Sequence, residues 1–559
     1  MSAICPESGR AGSADPLWVF ALVLLATAWA LGDVPLSRTE AHRSITAHQM
    51  VESGQWLVPR LYGMVYMRKP PLYYWVVAAT ETLCGRGNEW VWRLPSAVGT
   101  ALLAGFLCAT AARWFSRPAG WVAGLSLLAL PALWAQNRGA DIDGLNNVAS
   151  TMAAVGIIEL LWASPRRPLR WMLFTGLAWG AMLLLKGPSG ATIVFGAMLG
   201  PCVLLRHWRK LLRPSLWLAL LLGTALFAAW AIPAWRAVAA MNLPPMPSGV
   251  RELGQILSPS WPTRLRALAL PVELLIYALP ASAALLFAFD PTMRRRADER
   301  SRTLLLAAAG AVLAGLVLGA LLGVHSPRYL YVCVPMLALV AGGVAHAWLQ
   351  GWYAPTSVRH LRIAIIIFTI LFGALALLLV GMMMRHGAPI RSAAALPRSG
   401  GAALVWGLIA IIAGCAAIVG LIRSLRSSSG GRPGTAVALV ALVIATAILF
   451  GLHKNEDRRL RSGYAAGQLI RQSVGDAPVM TGGLIFAQPD ILFYARVPVA
   501  PQRVRLEELL TPDVPPTVSG WVALSGDEWA LWKDSPRLSR ALALPSGIGA
   551  HHLAWYEAP

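Results

Sequence analysis

Thirteen apolar segments, each near the length that a bilayer requires, dominate this sequence of 559 residues. A hydrocarbon core of about 30 Å is crossed by roughly 20 apolar residues of α-helix. Only 13% of the chain is charged, against about 25% in soluble domains. The sequence therefore predicts an all-α polytopic membrane protein. The predicted spans lie at 16–33, 91–112, 118–136, 145–163, 169–186, 189–205, 215–235, 268–289, 303–324, 328–349, 361–384, 402–422 and 434–452.

The basic residues between these segments indicate orientation. A net charge of +22 would suggest nucleic acid in a soluble protein. If the N-terminus is cytoplasmic, however, every loop on the inner side is short and basic, as the positive-inside rule expects. We therefore attribute much of the charge to topology, and predict no nucleic-acid partner. The inner loops are "RWFSR", "SPRRPLR", "RHWRKLLR", "DPTMRRRADERSR", "SVRHLR" and "RSLRSSSGGR".

The chain divides into a transmembrane domain, 1–452, and a C-terminal outer domain, 453–559. The first outer loop, 33–90, carries two expected interfacial helices, one in "SITAHQMVESG" and one in "PPLYYWVVAATETLCG". A second outer loop, 236–266, is rich in proline. Short apolar runs bounded by Gly, Pro and Asp follow a helical start in the tail, which predicts a small α/β domain.

Three carboxylates on the outer loops are candidates for catalysis. Glu40 could act as a general base, or it could close a capping box with Ser37, because Ser37-Arg38-Thr39-Glu40 fits S-x-x-E. Asp141 and Asp143 lie in "NRGADIDGLNN", where they could share a divalent cation or one could serve as base. Asp143 could instead cap the following helix.

Four cations on the same face are candidates for binding a phosphate. Arg43 follows Glu40, and Lys69 stands in "YMRKPPLYYW", which could equally be an interfacial anchor. Lys186 in "LKGPSG" and Arg328 in "HSPRYLY" are basic residues on the side that the positive-inside rule leaves neutral. Since no glycine-rich nucleotide loop is present and an outer site meets no cytosolic nucleotide, the donor should be lipid-borne.

Together these motifs resemble the lipid A aminoarabinose transferase branch of the glycosyltransferase C superfamily, with protein O-mannosyltransferases as more distant relatives. The resemblance rests on "TEAHRSITAHQMVESGQWLVPRLYG", "MRKPPLYYW", the acidic loop after the third span and "LKGP", and covers about the first 340 residues. It implies inverting transfer of a sugar from a polyprenyl-phosphate donor at the outer face of a bacterial inner membrane. The acceptor would be a lipid, a glycan or a protein.

The resemblance also assigns expected roles to residues. Lys69 and Lys186 match lysines of the family's motifs, with Lys69 at the phosphate-contacting position. The family usually has Asp-Glu where this chain has Thr39-Glu40, and often an acidic residue that can help hold a metal where this chain has Arg68. Glu40, Asp141 or Asp143 would then supply the carboxylate, and a divalent cation is an open question. Residues of the same motifs expected to line the substrate cavity are Tyr66, Arg68, Tyr73 and Tyr329.

Two other functions remain open from the sequence. A flippase or transporter of lipid-linked sugars would need ionisable residues at the midplane of the bundle, but the predicted spans are nearly free of them, with Glu159 and Glu273 as the main exceptions. A catalytically inactive relative that binds a lipid phosphate is compatible with the departure at Thr39.

Overall fold

The computed structural model describes residues 14–361, 363, 367 and 463–558, with the exception of 29–30, 33, 86–88, 131–135, 164, 166, 242–260, 280, 325, 502–509, 514 and 546–549. Three predicted spans, 361–384, 402–422 and 434–452, lie almost entirely outside this part of the chain. The predicted total of thirteen spans therefore stays a prediction.

The other predicted spans coincide with helices, apart from 118–136, of which only the first part is a described α-helix. Six helical stretches of the described residues are long and apolar enough to cross a membrane, or seven if one bent pair counts as a span. The chain is therefore a multi-pass membrane protein. The helices are α1 (Asp15–Ala28), α2 (Arg38–Ser53), α3 (Leu72–Cys84), α4 (Glu89–Trp114), α5 (Arg117–Ser126), α6 (Ile142–Ile158), α7 (Pro168–Lys186), α8 (Ala191–Leu205), α9 (Pro214–Ala239), α10 (Trp261–Tyr277), α11 (Ala284–Ala288), α12 (Pro291–Arg296), α13 (Glu299–Leu321) and α14 (Val334–Leu349).

The chain reverses direction between α7 and α8. Lys186, the last residue of α7, contacts Asp143 at the start of α6, whereas Lys210, beyond α8, donates a hydrogen bond to the carbonyl oxygen of Leu161 past the other end of α6 (2.7 Å). The turn begins at Gly187, whose φ of 65° and ψ of −147° exclude other residues. The "LKGPSG" turn thus forms as predicted, and α6 packs against α7, which is antiparallel to it, and against α8, which is parallel to it.

The first loop contains both expected helices. The helix predicted in "SITAHQMVESG" begins earlier, at Arg38, because Ser37 and Glu40 form a capping box. It ends at Gly54, which is left-handed with a φ of 67°. The proline pair precedes α3 as expected, and a two-stranded ribbon, β1 (Arg60–Leu61) and β2 (Met64–Val65), connects the helices.

The tail contains a mixed sheet of five strands, namely β3 (Val479–Thr481), β4 (Val499–Pro501), β5 (Gly520–Leu524), β6 (Leu538–Leu544) and β7 (His551–Tyr556), in the order β4-β3-β5-β7-β6. Strand β3 pairs in parallel with β4 and β5, while β7 is antiparallel to β5 and β6. The Tyr494 hydroxyl accepts a hydrogen bond from the Leu36 N–H (2.7 Å) and donates one to Glu89 (2.8 Å). The tail therefore packs against the first loop. Its helices are α15 (Tyr464–Val474), α16 (Leu484–Ala487), α17 (Pro489–Ala495) and α18 (Gly526–Trp532).

Candidate active site

Four segments that are distant in sequence meet at one end of the bundle. The start of α2, the loop before α6, the end of α7 and the loop before α14 contribute charged side chains within ion-pair distance of one another. The sequence predicted each of these segments on the same side of the membrane. The candidates Arg43, Asp141, Asp143, Lys186 and Arg328 therefore form one cluster.

Asp143 is fully engaged by cations. The Lys186 ammonium donates to Oδ1 of Asp143, and the Arg328 guanidinium donates to Oδ2 from Nε (2.9 Å) and Nη2 (2.6 Å). Both carboxylate oxygens are buried. The interpretation of Asp143 as a helix cap is wrong, since Asp141 occupies the N-cap position and its side chain accepts no capping hydrogen bond. Lys186, which the sequence predicted on the outer side despite the positive-inside rule, therefore neutralises a carboxylate of the protein itself.

Asp141 is much less constrained. Its Oδ2 lies 3.5 Å from Nη2 of Arg328, and its Oδ1 lies 4.0 Å from Nε of Arg43. Neither Oδ1 nor the Arg43 Nε has a hydrogen-bond partner among the described residues. Burial, together with the neighbouring Asp143 carboxylate, raises the pKa of Asp141 above its ordinary value. Such a group combines an available acceptor oxygen with increased basicity.

Glu40 is held on both oxygens by Arg93. The guanidinium donates to Oε1 from Nε (2.8 Å) and to Oε2 from Nη2 (2.9 Å). Oε1 also accepts the Ala140 N–H (3.0 Å), and Oε2 accepts the Ser37 N–H (3.0 Å). The capping box that the sequence left open is therefore present, and Glu40 also fixes the residue preceding Asp141. This geometry favours a positioning role for Glu40 over proton transfer.

Arg93 was missed in the sequence, although a signal was available. It is the one charged residue inside the predicted span 91–112, and a charge at that depth is costly unless it is paired. In the structure every N–H group of the Arg93 guanidinium has a hydrogen-bond acceptor. Besides Glu40, its Nη1 donates to the carbonyls of Leu31 (2.6 Å) and Val34 (2.7 Å), and Nη2 donates to Pro35 (2.9 Å). All five N–H groups are thereby used.

Aromatic rings surround the cluster. Tyr66 stacks on His42 with ring centroids 5.8 Å apart, and the Lys186 ammonium lies 4.5 Å from the centroid of the Tyr329 ring. Tyr73 is completely buried and meets Tyr74 edge to face. Two further candidates, Arg68 and Lys69, lie half-buried on the loop between Tyr66 and α3.

The residues at this site do not fit a resident metal ion. No group of three or more His, Cys, Asp or Glu side chains within the described part of the chain could hold one. Asp141 and Asp143 instead face Arg43, Lys186 and Arg328, whose charges would oppose a divalent cation. Three cations against two carboxylates leave a positive balance, which favours an anionic ligand. The cluster can therefore bind a phosphate beside a basic carboxylate.

Comparison with known proteins gives a family match and a set of relatives. Residues 68–232 match the family described as dolichyl-phosphate-mannose-protein mannosyltransferase. The chain is similar to an undecaprenyl phosphate-alpha-4-amino-4-deoxy-L-arabinose arabinosyl transferase of Aeromonas salmonicida, with 29% identity over 33% of this chain and 34% of the relative. It is similar to that of Pseudomonas paraeruginosa, with 29% identity over 36% of this chain and 37% of the relative. The matched segment spans about a third of these relatives.

The structural similarity extends over nearly the whole chain. The crystal structure of ArnT from Cupriavidus metallidurans bound to undecaprenyl phosphate matches with a TM-score of 0.68 and 19% identity, covering 97% of this chain and 98% of that one. The apo structure of the same protein matches with a TM-score of 0.65. The chain therefore has the fold of this protein. These findings confirm the predicted resemblance to the lipid A aminoarabinose transferase branch of the glycosyltransferase C superfamily.

Proposed function

We propose that this protein is an inverting glycosyltransferase that uses a polyprenyl-phosphate-linked sugar. The observation that carries the proposal is the Asp141 carboxylate, which is 17% exposed, keeps its buried Oδ1 without a hydrogen bond among the described residues, and lies in a cluster with a positive balance. The similarity to a transferase crystallised with undecaprenyl phosphate supports the choice of donor.

The donor phosphate is bound chiefly by Arg328, Arg43 and Lys69. Arg328 suits this role because its side chain is 38% exposed while Nε and Nη2 are held by Asp143, so its orientation is fixed before the ligand arrives. Lys186 is only 4% exposed and contributes through its charge. The phosphate thus meets guanidinium groups already oriented by the protein, which reduces the reorganisation needed during the reaction.

The transfer itself needs a single proton acceptor. The acceptor oxygen attacks the anomeric carbon from the face opposite the phosphate, the bond from that carbon to the phosphate oxygen breaks, and polyprenyl phosphate leaves with the bonding electrons. Asp141 removes the proton of the acceptor hydroxyl, and its raised pKa suits that task. The charge of the departing phosphate is balanced by the cations that bound it.

The reaction takes place at the outer face of the bacterial inner membrane. The short basic loops support this orientation, in which the N-terminus is cytoplasmic. The loops that form the cluster then lie outside, together with the C-terminal domain. A donor can enter sideways from the bilayer, and the acceptor is a lipid, a glycan or a protein on that face.

The test is a transfer assay on the purified protein with a radiolabelled undecaprenyl-phosphate sugar. Asp141→Asn should lower kcat by roughly 100-fold or more while leaving thermal unfolding unchanged. Arg328→Gln should mainly raise KM for the donor. As a matched control, Asp476→Asn changes an exposed carboxylate of the tail that pairs with Arg471, and it should keep wild-type kinetics.

Two results would contradict the proposal. Full activity of Asp141→Asn would remove the assigned base. Donor binding without transfer in the wild type, over a panel of outer-membrane lipid and glycan acceptors, would favour an inactive lipid-phosphate-binding relative.

A further inference from the structure

We propose that the groove between α4 and α7, at the end of the bundle opposite the candidate active site, binds the phosphate head group of an anionic phospholipid. This inference does not depend on the proposed transferase reaction. It concerns a cavity of about 460 Å³ lined by Arg113, Arg167, Arg170, Trp171 and Phe174. A cavity of this size lies in the range of small-molecule sites.

The groove is well separated from the catalytic cluster. Asp143 stands in the first turn of α6, and Glu159 follows the last residue of the same helix. With a rise of 1.5 Å per residue, these two positions lie about 24 Å apart. Arg113 binds Glu159 from its Nη2 (2.9 Å). A ligand in the groove would therefore occupy the opposite membrane surface from the sugar donor.

The described residues do not balance the charges in the groove. Arg167 and Arg170 are exposed and form no hydrogen bond or ion pair with any residue that the structure describes. Arg113 pairs with Glu159 and lies 5.1 Å from the centroid of the Trp171 ring. The lining therefore carries a positive excess, with guanidinium groups suited to a phosphate.

Two neighbouring basic residues at this end, Lys210 and Arg213, are already engaged. Lys210 donates to the carbonyl of Leu161 (2.7 Å), and Arg213 donates to the carbonyl of Leu160 (2.7 Å). The positive-inside rule explains why Lys and Arg gather at this end, but it predicts no cavity. The arginines of the groove differ from Lys210 and Arg213 because they line a cavity.

Below the arginines the groove is apolar. Phe106 of α4 and Phe174 of α7 stack with centroids 5.5 Å apart, so they connect two helices that both pack on α6. Further along the same two helix faces, Leu102 and Leu177 are exposed. Leu102 precedes Arg113 by eleven residues, about 16 Å of helix. Cations at one end and exposed leucines beyond them match a phosphate with attached acyl chains, whereas a free phosphate would use the cations alone.

The test uses the purified full-length protein in detergent and measures retained lipid by native mass spectrometry. Wild type should retain phosphatidylglycerol in preference to phosphatidylcholine, and inorganic phosphate should not displace it. The double variant Arg167→Gln/Arg170→Gln should retain phosphatidylglycerol at least about tenfold less tightly, since two charge-assisted contacts are lost. The control Arg294→Gln/Arg295→Gln removes the same charge from exposed arginines of α12, and should behave as wild type.

A second measurement needs no variant. Phosphatidylglycerol with a diazirine in its acyl chain should crosslink to peptides containing Leu102 and Leu177. The inference is overturned if both double variants lose lipid equally, if phosphatidylcholine is retained as tightly, or if inorganic phosphate displaces the lipid. It is overturned equally if the crosslinks avoid both peptides.

Discussion

Glu40, in the first turn of α2, is a buried carboxylate, whereas Asp141, at the N-cap of α6, is half-buried, and the two differ in how many hydrogen bonds they accept. Glu40 accepts two hydrogen bonds from Arg93 and further ones from the N–H groups of Ala140 and Ser37. Asp141 keeps one oxygen without a hydrogen bond among the described residues, and its nearest cations lie 3.5 and 4.0 Å away. The comparison separates a carboxylate that holds structure from one that is available for chemistry.

The largest expected effect concerns Glu40, both of whose carboxylate oxygens accept hydrogen bonds from Arg93 and from backbone N–H groups. Arg93→Met leaves Glu40 buried without its cation and removes the donors to three backbone carbonyls, so we expect the free energy of unfolding to fall by about 3–5 kcal/mol. Unfolding in mixed micelles measures this. Arg471→Met is the control, because Arg471 is partly exposed and pairs with Asp476, which is 89% exposed, and it should cost about 1 kcal/mol or less. Equal losses of unfolding free energy in both variants would show that the buried Glu40–Arg93 pair stabilises the fold no more than an exposed ion pair does.

A third carboxylate, Asp490 in the tail, extends the comparison to a site without cations. It accepts the Gly463 N–H (2.5 Å) and forms no ion pair with a described residue. Burial raises its pKa from 3.8 to about 7. A raised pKa means that the folded state holds the proton more tightly, so this stabilisation is complete below about pH 4 and is lost as the pH rises to about 7.

We therefore expect the wild type to lose about 2 kcal/mol of unfolding free energy between pH 5 and pH 7 through Asp490. Asp490→Asn should flatten that part of the profile, as measured by unfolding at a series of pH values. Protease sensitivity of the tail should follow the same trend. Parallel profiles for wild type and variant would show that this carboxyl titrates normally.

The smallest expected effect concerns the pH dependence of transfer. Asp143→Asn removes a carboxylate beside Asp141 and frees Lys186 and Arg328, and both changes favour the ionised form of Asp141. The pKa of Asp141 should fall, and because a base acts when deprotonated, the acid limb of kcat/KM should move to lower pH. Asp476→Asn should leave the limb in place. A limb that stays fixed in Asp143→Asn, or moves upward, would assign the proton transfer to another group.

Local sequence was sufficient for the individual elements of the site. The capping box at Ser37, the helix end at Gly54 and the turn at Gly187 each depend on a few neighbouring residues, and each forms as the motif indicates. The alternative interpretation of Asp143 as a helix cap was wrong because a local rule was applied where distant cations were available. Lys186 and Arg328 lie 43 and 185 residues away, and spacing alone could not bring them to Asp143.

The sequence could indicate that Arg93 needs a partner, but for the same reason it could not identify Glu40 as that partner. The motif indicated that Glu40 would reach the Ser37 backbone, which is correct, but it gave no sign of the second partner 53 residues later. The contact of Tyr494 with Leu36 is still more remote. Such contacts depend on how the helices pack, which apolar periodicity indicates only in part.

That contact of Tyr494 sets an order of events during synthesis. The Leu36 N–H and the Tyr494 hydroxyl are 458 residues apart, so at 5–20 residues per second roughly half a minute to a minute and a half separates the two residues leaving the ribosome. During that time the membrane helices can insert, while the Leu36 N–H before α2 still lacks the Tyr494 hydroxyl as its hydrogen-bond acceptor. The entry to α2, beside the candidate active site, would be completed only after the tail has been synthesised. A chain interrupted before residue 494 would be inserted in the bilayer without a finished site.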